Sequence, residues 1–134
     1  MRKVLLLLFA AGMLAASLAR ACGVCAEDRM AATYDHELVT RAMNRGHQVV
    51  FADVASSELT HTQWHRLAGT VQIVGGVIRG SVRTSKTPPA LSFEIDPKAT
   101  TAAAAITAIN QRMGKHSIRV SLIRTISQQE VAAR

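Results

Sequence analysis

Aromatic residues are scarce in this chain: one Trp, one Tyr and three Phe, 4% of 134 residues. That argues against single-stranded nucleic-acid binding, which relies on rings for bases to stack on between basic residues. Acidic residues are few as well, 9 against 16 Lys and Arg. The positives are scattered through Arg29, Arg41, Arg45, Arg66, Arg79, Arg83, Arg112, Arg119 and Arg124 and form no stripe. The carboxylates are too dispersed to name an acid–base pair. No phosphate-cradling loop is present either, because GGVIRG (75–80) follows an apolar helical stretch instead of joining a strand to a helix. No Ser-His-Asp order stands out. The chain is therefore not expected to be an enzyme, with thiol–disulfide exchange the one plausible activity.

No apolar run reaches the ~20 residues that a membrane-spanning helix wants. The longest, Val4 to Ala19, has a different character. Arg2 and Lys3 precede it, and Ala19-Arg20-Ala21 follows as a small-x-small cleavage site, which together make an export signal. An uncleaved anchor and a lipidated Cys22 are the other outcomes open to such a leader. Cleavage before Cys22 predicts a periplasmic or secreted protein with no membrane span. It also removes three basic residues, so the mature formal charge falls three below the whole-chain +7. The expected organisation is a signal peptide over 1–21, a Cys-x-x-Cys segment with a helix over 22–46, and one domain over 47–134.

The remaining sequence alternates between helical and extended patterns. EDRMAATYDHELVTRAMNRG (27–46) predicts one continuous helix. Met30, Tyr34, Leu38 and Ala42 share a face, Glu27 and Asp28 suit its start, and Gly46 stops it. HQVVFADVAS predicts a buried strand. TQWHRLAGTVQIVGG predicts a helix with Trp64, Leu67, Val71 and Val74 on one side, despite Gly69. VIRGSVRT predicts a strand, KTPPA a turn, and ALSFEID a strand with Leu91, Phe93 and Ile95 inward and Ser92, Glu94 and Asp96 outward. ATTAAAAITAINQRMG predicts a third helix, capped by Thr100 or Thr101. HSIRVSLIRTI predicts a last strand with Ile118, Val120 and Leu122 inward, followed by a polar tail. After the first helix the order is strand-helix-strand-strand-helix-strand, the split βαβ pattern. The expected fold class is α+β: a ferredoxin-like βαββαβ sandwich with helices on one face of the sheet, preceded by one additional N-terminal helix.

Residues 48–126 resemble a heavy-metal-associated domain, the small copper-chaperone module. The likeness rests on ELTHTQWHRLAGTVQIVGGVIRGSVRT, LSFEIDP and AITAINQRMGKHS. Gly76-Val77 matches the opening of the family's second strand, and Leu67, Val71 and Val74 match its helix spacing. Ile95-Asp96-Pro97 matches the end of its third strand, and Gly114-Lys115 the loop before its fourth. The family's two loop cysteines fall on Thr60 and Gln63, with His61 between them, so this loop offers no thiolate pair. The resemblance implies a ferredoxin-like fold and a metal-handling role. It leaves the ligands to be found elsewhere.

The only cysteines, Cys22 and Cys25, are too few for a disulfide framework. Their spacing lets two sulfurs face one soft ion, Cu(I) or another such as zinc, and Cys25 at a helix start is favoured as thiolate. Three readings of the pair stay open: metal ligands, a thiol–disulfide redox couple, and a plain disulfide. If the first helix doubles back along the first strand, the pair returns to the end of the sheet where His61 and His116 lie. The candidate metal ligands are thus Cys22, Cys25, His116 and His61. His61 and His65, four apart, would share a helix face. His36 belongs to another environment, beside Asp35 and Glu37, and His47 to a structural turn. Lys115 is a candidate counter-charge. The expected partners are the metal ion and a metal-transport or thiol-redox protein, with no nucleic acid.

Overall fold

A computed structural model describes residues 26–55 and 58–133. The expected leader and its cleavage site lie outside the described residues. The first described element is helix α1 (residues 26–33), and helix α2 spans His36–Asn44. The expectation of one continuous helix is therefore corrected. Asp35 adopts an extended backbone and N-caps α2, its carboxylate accepting from the Leu38 amide at 3.0 Å. The same side chain takes Arg83 Nε at 2.8 Å, and Ser92 Oγ donates to the Thr33 carbonyl at 2.8 Å. Contacts to two distant strands thus hold the break. At the other end Gly46 is left-handed (φ +69), with Gly46 N bonding Met43 O and His47 N bonding Ala42 O. That paired closure is a Schellman stop, as Gly46 leads one to expect.

Strand β1 (Gln48–Ala55) follows, then helix α3 (His61–Gln72), strands β2 (Arg83–Lys86) and β3 (Pro89–Ile95), helix α4 (Ala102–Met113), strand β4 (Arg119–Ile126) and a short helix α5 (Gln128–Ala132). The four strands form one sheet in the order β2-β3-β1-β4, and every neighbouring pair is antiparallel. The molecule is α+β, and Thr101 is the α4 cap. The expected strand over 77–84 is interrupted: Val77 bridges Ile95, and ladder pairing resumes only at Arg83. Before it, Gly80 turns with φ +78, and Ser81 is buried, its hydroxyl donating to Ile78 O and accepting from Glu94 N. A side chain here replaces the ladder. The tail also differs from expectation, since residues 128–132 form α5, tied back by Arg124 to Glu130 at 3.0 Å.

Helices cover both faces of the sheet, not one. Val50, Ala52 and Val54 of β1 face α3 and α4, packing with Trp64, Leu67, Ile106 and Ile109. Val49 and Phe51 face the other way, against Leu38, Val39 and Ala42 of α2. A central strand covered on both sides reads as a continuous apolar run, which Val49-Val50-Phe51-Ala52 is, all four fully buried. The sides of β3 alternate as expected, with Leu91, Phe93 and Ile95 in the core under α3 and α4, but the polar side does not meet water: Ser92 and Glu94 point to the α2 side and are as fully buried as Leu91 and Phe93. Leu122 departs from expectation too, being 44% exposed. Phe51 pairs with Arg124 and Ala52 with Leu122, leaving Ile123 as the extra residue of a bulge in this edge strand.

Candidate functional site

The end of the sheet where β1 finishes gathers several chemistry-bearing residues. Ala55, the last residue of β1, pairs with Arg119, the first of β4. His116, in a 3-10 turn (Gly114–His116), comes just before that strand, and α3 begins six residues after Ala55. Arg29 of α1 lies there as well, its Nε 2.6 Å from the Asp53 carboxylate. So α1 does run back toward the end of β1, although the helix expected to carry it is broken.

Within α3, Thr60 and Gln63 form a reciprocal capping box. Thr60 Oγ1 accepts from Gln63 N at 3.3 Å, and Gln63 Oε1 accepts from Thr60 N at 2.8 Å. These are the two positions on which the resembled family's cysteines fall. Here they satisfy helix-terminal amides and hold the first turn. Trp64 is buried in the core, which leaves its neighbours His61 and His65 exposed. Their rings meet edge-on, centroids 4.4 Å apart at 70°.

His116 is half-buried, and its Nδ1 lies 3.1 Å from Arg66 Nη1. A guanidinium only donates, so Nδ1 is the acceptor and the neutral ring carries its proton on Nε2. A metal ion at His116 would have to displace the arginine or that proton. Lys115 is exposed on the same turn. Cys22 and Cys25 lie outside the described residues. Among the described residues, no group of three or more His, Cys, Asp and Glu side chains is placed to hold a metal ion.

His47 is structural, as its turn position implies: Nδ1 is 2.6 Å from Glu94 Oε1. Sequence reasoning missed its partner. Glu94 is fully buried, with Arg41 Nε 4.0 Å from Oε2 and no hydrogen bond to that oxygen. Placed on the polar side of an alternating strand, Glu94 carried no signal of burial. Asp35, expected beside His36 in water, is instead held by Leu38 N and Arg83. The amide bond first, and then the guanidinium, keep its carboxyl below the usual carboxylate value.

No protein-family model matches this chain, and no curated protein matches it. No described helix is long and apolar enough to cross a membrane.

Proposed function

We propose that the chain is an exported soft-metal binding or carrier protein, its fold the ferredoxin-like split βαβ sandwich with three added helices, α1, α2 and α5. Cys22 and Cys25 are the primary ligands, Cu(I) the favoured ion, and His61 and His116 the neighbouring donors. The sheet order β2-β3-β1-β4 with all pairs antiparallel supports the fold. The Arg29–Asp53 ion pair carries the functional reading. It ties α1 at Arg29, four residues after Cys25, to the strand end from which α3 and β4 depart. Thiolates delivered to that rim meet a surface that carries the exposed His61, with His116 in reach once Arg66 is displaced, and where Lys115 can offset anionic charge. A soft ion suits that donor set.

Titration of the purified exported chain with Cu(I) against a competing chelator tests this. Tight binding that is lost in a Cys22→Ser/Cys25→Ser variant is the expected result. Equal affinity in both proteins would remove the thiol pair from the function. His116→Ala is expected to have the smaller effect, because Arg66 already occupies its Nδ1.

A further inference from the structure

We propose that His61 and His65 form a bis-imidazole site for a divalent transition-metal ion that prefers right-angled ligands, Cu2+ or Ni2+, and that it operates without the thiol pair. The two residues are four apart on α3 and share a face, with both rings exposed. Metal–imidazole bonds of about 2.1 Å, with a ring radius near ~1.1 Å, put the centroids of two ligands at right angles about 4.5 Å apart. The observed separation is 4.4 Å. Imidazole nitrogens suit Cu2+ and Ni2+, and Cu2+ is the most tightly held of the first-row divalent ions.

The backbone under the pair is fixed on both sides. The Thr60–Gln63 capping box holds the first turn, and buried Trp64 anchors the helix to the core between the two histidines. The backbone therefore needs no ordering on binding, and only the two rings have to turn. Arg66, the nearest cation in sequence, is turned to His116. The positive end of the helix opposes a cation here, since His61 is the first residue of α3, but the effect is small at an exposed site and screened by salt. Two metal–nitrogen bonds outweigh it, and water completes the coordination.

The test uses the whole chain carrying Cys22→Ser and Cys25→Ser, so that the outcome does not depend on the thiol reading. Cu2+ is titrated against glycine as competitor, and the bound ion is examined by electron paramagnetic resonance. His61→Ala and His65→Ala are each expected to weaken Cu2+ binding by about tenfold or more, because losing one arm of a chelate forfeits its effective concentration. Each should also reduce the imidazole-nitrogen coupling from two rings to one, while His36→Ala leaves both readouts unchanged. Both substitutions are at exposed helical positions where Ala is the better helix former, and circular dichroism checks that the helix content is kept. Unchanged affinity in both single variants, or an equal loss in His36→Ala, would overturn the proposal.

Discussion

At the scale of single residues, buried and half-buried charges decide more than their number suggests. Asp35 does two jobs: it caps α2 through Leu38 N, and it pairs with Arg83, 48 residues away. Its carboxyl is held below the ordinary value of 3.8. A depressed folded-state pKa contributes stability that is complete above the unfolded value and is lost as pH falls through the folded one. Asp35→Asn keeps a capping oxygen but removes the charge. The melting-temperature gap between wild type and this variant is thus expected to be largest near neutrality and to close as pH falls below 3.8. A gap that stays constant down to the acid end would show that the charge contributes nothing. His47 and Glu94 meet at 2.6 Å, a fully buried carboxyl group against a ring that is 19% exposed.

At the scale of elements, the helices are largely written in their own sequences. Gly46 closes α2, Thr60 and Gln63 open α3, and Thr101 opens α4, each by a signal within one turn of the end it marks. Gly69 is the weak point of α3. It lies in the middle of the helix, and a Cβ added there would meet no atom within 4 Å. Gly69→Ala should therefore stabilise the protein by roughly 0.5–1 kcal/mol, read as a higher denaturation midpoint with an unchanged denaturant slope. A lower midpoint would mean that α3 needs the glycine for a reason other than space. The edge strand β4 is also managed locally. Asn110 of α4 uses its amide to bond both Val120 N and Val120 O, each at 2.8 Å. Backbone groups of an edge strand would otherwise be open to another chain.

At the scale of the whole molecule, the consequential feature is that α2 closes the second face of the sheet. Leu38, Val39, Val49 and Phe51 are buried between them, each contributing roughly 1.5–3 kcal/mol by leaving water. Together they rival the net stability of a small domain, about 5–15 kcal/mol. A chain starting at residue 47 would expose that face together with Ser92 and Glu94. It is expected to bind a hydrophobic dye and to lose cooperative melting, whereas one starting at residue 26 keeps the face covered and melts cooperatively. A cooperative melt from the shorter chain would show that α2 is an accessory to an autonomous domain.

The sequence by itself determined where helices and strands lie along most of the chain, and the pairing of His61 with His65 on one helix face. Those outcomes follow from apolar spacing, caps and glycines whose partners are a few residues away. Only the tertiary structure decided the break at Asp35, the burial of Glu94, and the capture of His116 by Arg66. Their partners lie 48, 47 and 50 residues distant. No local pattern marks them, since a period-2 strand reads the same whether its polar side meets water or a helix. The coverage of the second face set that environment, and it depends on how α2 returns to the sheet through Gly46.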